Sequence, residues 1–331
     1  MWKQKYRELY FNTTYENRDT FGALKLKLEN MPNSLFKYTK AKYAIEMLND
    51  DFIKVTNPSN ANDPFEGELL FENEKLHPPY KEQMLLDAFA KLEFDLSEED
   101  KMLIINSKEP LPKLFQILYN SGQFFSEDVT PDEFENKLWE VNKNSKRNLV
   151  KKFNNNLKEQ IVFVSLSEHF DNSLMWSHYA DSHKGVCIGY DIRKSEYDFF
   201  EEICHPVFYV KDSDFTEDIN QIMDDDRNKL KLLEEPFLVK SEMWKDESEW
   251  RLLFNKERLE ETSKIVDLSN FIKIKEDLSF FKFPKPTCVF LGLKISEEYM
   301  EKIKRICIER EIKVYKMVKD DSKYDLSYEE V

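Results

Sequence analysis

The sequence predicts an α+β fold with a mixed or antiparallel β core and a helical insertion, on three observations. Six segments, Ile161–Ser167, Lys184–Asp191, His205–Asp212, Glu249–Phe254, Cys288–Leu293 and Glu311–Val318, are dense in β-branched and aromatic residues, which fit a pleated surface. From about Pro78 to Gln160 the apolar residues recur at helical spacing instead, as in Met84, Leu85, Ala88, Phe89 and Leu92. Between an early strand and that stretch, Asn57–Glu66 collects N-P, N-D and D-P dipeptides, all turn formers.

In chain order, residues to about Asn33 are polar and weakly patterned and read as an N-terminal arm. Leu35–Thr39 reads as a short strand, and Ala41–Leu48 as a helix with Ala44, Ile45 and Leu48 apolar. Leu69–Phe71 resumes apolar character after the turn-rich loop. Thr130, Pro131 and Glu133 supply an N-cap, a first-turn proline and a capping-box glutamate ahead of Phe134, Leu138 and Val141. Asp171 or Asn172 caps a short helix bearing Met175, Trp176, His178 and Tyr179. Ser296 caps another, with Glu297 and Glu298 in its first turn and Ile303, Ile306 and Cys307 on one face. The segment before the insertion is too short to bury itself, so one domain over residues 1–331 is expected, the insertion (about 78–160) packing on a common core.

Composition narrows the function. With 331 residues, 41% of them hydrophobic, the chain can bury a large core without staples. Cys187, Cys204, Cys288 and Cys307 have no C-x-x-C spacing and lie in or beside apolar runs, so buried thiols are expected rather than disulfides or a zinc site. A net charge of -15 argues against broad binding of nucleic acid or anionic membrane. Neither G-x-G-x-x-G nor G-K-[ST] occurs among only 6 glycines, which excludes Rossmann and P-loop readings. No apolar stretch is long enough to span a bilayer and MWKQKYRELYF has no signal-peptide core, so a cytoplasmic protein is expected. His178, His183 and His205 form no i,i+4 pair or H-E-x-x-H motif, and no metal is expected.

Two constellations carry chemistry. In WKDESEWRLLF a strand would put Glu247, Glu249 and Arg251 on one face and Trp250 and Leu252 on the other. Like charges on one face repel unless a cation or cleft compensates, and such clefts host general-base and charge-stabilising chemistry. A solvated ladder on an edge strand is the alternative. In FVSLSEHFDNSLMWSHYAD, Ser165 and Ser167 share one side of a strand, followed by Trp176, His178 and Tyr179. A polar row beside aromatics can hold a flat ligand ring; a wet strand face and helix-to-sheet packing are the alternatives.

FKYTK (Phe36–Lys40), N-D-P-F-E (Asn62–Glu66), FVSLSE followed by MWSHYAD and KGVCIGYD, and K-x-x-x-W-x-x-E-x-E-W-R (Lys240–Arg251) together resemble the bacterial domain of unknown function 2971 family. The segment between Glu66 and Phe163 is an elaboration of that pattern. The family resemblance implies no activity. A second resemblance, to the ADP-ribosyltransferases, follows from the order of a basic residue on a first strand, an S-x-S strand and an E-x-E motif, here Lys37, Ser165 with Ser167, and Glu247 with Glu249. Lys37 departs from the arginine or histidine of those enzymes. This resemblance implies an ADP-ribosyltransferase-like fold and an enzyme of bacterial toxin or phage-defence type that uses NAD as substrate, its acceptor open. Glu249 would stabilise the oxocarbenium-like charge and Glu247 would orient or deprotonate the acceptor. Lys37, Tyr38, Ser165, Ser167, Trp176, Tyr179 and Arg251 would bind the nucleotide, with Asn62, Asp63, Glu66 and His178 as further candidates. Two other classes stay open: a non-catalytic nucleotide sensor or interaction module, and a metal-dependent hydrolase or nuclease gathering Asp63, Glu66, Glu247 and Glu249 around magnesium or manganese.

Overall fold

The computed structural model describes residues 2–12, 17–70, 96–108, 110–122, 131–194, 199–211, 234–256, 272–275 and 278–331. The helices are α1 (Trp2–Tyr10), α2 (Thr20–Asn30), α3 (Ala41–Asp50), α4 (Glu98–Ile105), α5 (Pro110–Asn120), α6 (Pro131–Gln160), α7 (Ser173–Tyr179), α8 (Phe199–Ile203) and α9 (Glu297–Glu309). The strands are β1 (Leu35–Thr39), β2 (Phe52–Lys54), β3 (Ile161–Ser167), β4 (Val186–Tyr190), β5 (Cys204–Pro206), β6 (Phe208–Val210), β7 (Val239–Ser241), β8 (Glu249–Asn255), β9 (Ile272–Lys275), β10 (Leu278–Lys282), β11 (Cys288–Leu291), β12 (Lys313–Lys319) and β13 (Leu326–Glu330). The expected helix over Met84–Leu92 and the cap at Thr130 lie outside the described residues.

The chain divides into two compact units. One comprises Leu69–Asn156 and Phe215–Lys229. In it Leu96, Ile104, Leu114 and Leu118 form a small apolar cluster, and the Asn154 side chain bonds both backbone groups of Leu69. The other comprises Met1–Glu68, Leu157–Asp214 and Leu230–Val331 and contains every strand of the main sheet.

That sheet has the order β13-β12-β11-β4-β1-β3-β8-β5 and is antiparallel except at β11–β12, which run parallel across the α9 crossover. The class is α+β with a mostly antiparallel sheet. Strand alternation sorts its two faces. Leu35, Val164, Leu166, Ile188, Trp250, Leu252 and Val289 join one core cluster with Ala44 and Met47 of α3 and Ile303 and Cys307 of α9. Tyr38, Cys187, Phe290 and Met317 form a second cluster with Met175 and Trp176 of α7. The four cysteines are free.

The bounds of β1 and β3 coincide with those read from sequence. The expected strand His205–Asp212 divides instead: β5 pairs with β8, whereas β6 pairs in parallel with β7. Residues 1–33 also differ from an unpatterned arm, because α1 and α2 are packed. Tyr6 is fully buried with its hydroxyl 2.6 Å from His205 Nδ1, and the buried Lys27 donates from Nζ to the Glu202 carbonyl at 2.9 Å. A tyrosine and a lysine make this face, so aliphatic periodicity does not mark it.

One topological detail positions the site. β1 shares five register pairs with β4 but only Phe36↔Ser167 with β3. Farther along, β3 meets Thr56 instead, whose backbone exchanges hydrogen bonds of 2.7 and 3.0 Å with Phe163. The sheet therefore splits between β1 and β3.

Candidate functional site

A cavity of about 490 Å³, within the size range of small-molecule sites, opens at this split. Lys37, Tyr38, Asn62, Asp63, Glu66, Ser165, Ser167, His178, Tyr179, Glu247, Glu249 and Arg251 all line it. Of the residues singled out from sequence, Trp176 does not. Its side chain is fully buried, its indole N–H donates to the Phe170 carbonyl at 2.7 Å, and its ring meets Tyr38 edge-on at 5.3 Å, the geometry of helix-to-sheet packing. The Tyr38 hydroxyl is likewise committed, donating to the His169 carbonyl at 2.9 Å.

Arg251 is the centre of the polar network. It is 1% exposed, and its Nε and Nη2 donate to the two oxygens of Glu249 at 2.8 and 2.9 Å. Nη1 and Nη2 also grip the two oxygens of Glu66, and Nη1 bonds the Phe237 carbonyl at 2.6 Å. Glu66 reaches this position from the turn-rich loop, whose Asn57 and Asp63 side chains accept from the backbone N–H of Ser59 and Phe65 at 3.0 and 2.9 Å. Gly67 ends the loop at φ +66°, where a β-carbon would lie 2.2 Å from the Phe237 ring, so the close approach requires glycine.

Glu247 and Glu249 do not alternate along one strand, as the sequence suggested. Glu247 closes a 3-10 helix over Glu242–Glu247, and Ser248 turns the chain in the left-handed region at φ 44° before β8 begins. The carboxylates meet through a cation. Lys240 Nζ, 7% exposed, donates to Glu247 Oε2 at 2.5 Å and Glu249 Oε2 at 3.4 Å, while Tyr179 donates its hydroxyl to Glu247 Oε1 at 2.6 Å. Ser167 Oγ secures the turn through the Glu247 carbonyl at 2.8 Å, and the Glu249 N–H donates to the Tyr209 hydroxyl at 2.8 Å.

Electrostatics follow from burial and pairing. Burial alone would raise the Glu249 pKa, but Arg251, Lys240 and a hydrogen bond from Ser165 hold its carboxyl well below the usual range. Burial, then Glu247, pushes the Tyr179 phenol up. Burial alone would lower Lys240, yet Glu249 and Glu247 keep it raised. Lys37 contrasts with it: burial lowers its pKa to about 8, and Nζ donates to the Ser165 carbonyl at 3.1 Å.

Lys240, Lys40, Lys54 and Lys256 complete the cationic lining, and sequence reasoning did not nominate them as site residues. Lys240 begins the K-x-x-x-W-x-x-E-x-E-W-R run and was legible there; Lys54 on β2 carries no such signal. Six cationic side chains and four carboxylates line the cavity, a local positive excess in a chain of net charge -15. Among the described residues no group of three or more His, Cys, Asp or Glu is arranged to hold a metal ion. Among the described residues no helix is long and apolar enough to cross a membrane.

The family model described as a protein of unknown function, DUF2971, matches residues 175–252. This supports the first family resemblance, and the matched span contains Tyr179, Lys240, Glu247, Glu249 and Arg251. No curated protein and no solved structure matches the chain.

Proposed function

We propose that the cleft binds NAD or a related nucleotide and acts at its nicotinamide–ribose bond, passing ADP-ribose to an acceptor or to water. Convergence carries this reading: Lys37, the S-L-S serines, Tyr179 and both glutamates of E-S-E come from separated segments and line one cavity in the sheet split. Cleaving the bond builds positive charge at the anomeric carbon, and a preorganised carboxylate in a buried site stabilises that charge more than it stabilises the ground state. Glu249, held ionised by Arg251 and Lys240, supplies the fixed charge. Glu247, hydrogen-bonded to Tyr179, is placed to orient or deprotonate an acceptor. Lys37, Lys40 and Lys54 offer cationic partners to the pyrophosphate. Calorimetric titration with NAD, paired with an assay for free nicotinamide, tests binding and turnover separately.

One observation favours a second reading, a nucleotide-binding module without turnover. Both oxygens of Glu249 already accept from Arg251, so a ribose hydroxyl must share an occupied carboxylate. Tight binding without nicotinamide release is the outcome that selects it.

A further inference from the structure

We propose that Lys37 is a covalent attachment site, an amine facing the cavity that condenses with the aldehyde of an anionic ligand to form an imine. Its placement is the first support. Lys37 lies on β1 where the sheet splits, lines the cavity and is 9% exposed, so the cleft gives a ligand access to it.

Its partners are the second. Nζ donates to the Ser165 carbonyl at 3.1 Å, and among the described residues it forms no ion pair. Burial disfavours the ammonium more than Glu249, acting from beyond ion-pair distance, favours it, and only the neutral amine carries the lone pair that attacks a carbonyl. The lowering of its pKa to about 8 is in keeping with this. Third, Lys40 and Lys54 line the same cavity and can receive a phosphate or carboxylate on the ligand.

The step balances without an oxidant or reductant. The Lys37 nitrogen bonds to the carbonyl carbon, the nitrogen gives up its two hydrogens, the carbonyl oxygen departs as water, and a C=N bond remains. Phosphorylated aldehydes, including open-chain sugar phosphates, are the matching class. The imine shares Lys37, Lys40 and Lys54 with the NAD reading, but aldehyde labelling is measured without NAD, so the two can fail separately.

Lys27 provides an internal control. Burial also lowers its pKa to about 8, but it is 1% exposed, bonded to the Glu202 carbonyl, and not part of the cavity lining. The full chain would be incubated with pyridoxal 5′-phosphate, reduced with borohydride and mapped by peptide mass spectrometry. Lys37 is expected to react at least about tenfold faster than exposed lysines, because each pKa unit below the usual value exposes about tenfold more free amine and its lowering to about 8 exceeds one unit. Lys27 should stay unlabelled. Lys37→Met should lose that label while remaining folded, and Lys40→Ala with Lys54→Ala should slow pyridoxal 5′-phosphate but not unphosphorylated pyridoxal. Labelling spread evenly over exposed lysines, or labelling of Lys27 equal to that of Lys37, would overturn the proposal.

Discussion

Glu249 and Arg251 stand two residues apart on one face of β8 and are joined twice, Nε to Oε1 at 2.8 Å and Nη2 to Oε2 at 2.9 Å. The same guanidinium holds Glu66 from a loop 185 residues away. One cation thus couples a cavity-lining carboxylate to the loop beside it, so site geometry and stability are expected to change together.

Arg251→Met should be strongly destabilising. It leaves Glu66 and Glu249 buried without their shared cation, and breaking a buried pair from one side costs about 3–5 kcal/mol. Urea denaturation reads this directly. A loss below about 1 kcal/mol would place the pair with surface bridges instead.

Lys37→Met should have the opposite sign. The folded pKa is lowered from 10.5 to about 8, so between those pH values the unfolded chain binds more protons and stability rises with pH. Below pH 8 the folded protein carries the full penalty of a buried ammonium. The variant should therefore gain about 1–3 kcal/mol near pH 7, an advantage that fades toward pH 10.5. Urea melts at both pH values check it, and equal stability of the two proteins at pH 7 would contradict it. Lys27, with the same direction and value, should contribute a parallel rise in both proteins.

Ser248 is the third test, because its φ of 44° sets Glu247 against Glu249. Ser248→Gly should stay within about 0.5 kcal/mol of wild type, as relief in the left-handed region offsets the extra freedom of the unfolded chain. Ser248→Val should lose more than about 1 kcal/mol and weaken nucleotide binding, since a β-branched residue disfavours that backbone. Equal stabilities for the two variants would remove strain at this turn from the account.

These features differ in how far the sequence reveals them. β1 and β3 were legible to the residue because both are short runs of β-branched and aromatic residues with sharp polar borders. The E-S-E run was legible as a charged cluster but not as a turn: serine, unlike glycine or asparagine, gives no sign of positive φ. The Glu66–Arg251 pair was hidden for another reason. Local spacing carries no information about partners so far apart, and only the sheet split brings loop and strand together. Trp176 shows the reverse case, an aromatic at helical spacing that the fold uses for packing.

The most direct measurement of the central claim is nicotinamide release from NAD by the wild-type chain and by Glu249→Gln, with binding followed by calorimetry in the same samples. Glutamine keeps the shape of the side chain and removes its charge, so binding should persist while release falls by about two orders of magnitude or more. Glu247→Gln should slow transfer to an acceptor more than hydrolysis. Absence of both NAD binding and nicotinamide release in the folded wild-type protein would contradict the account.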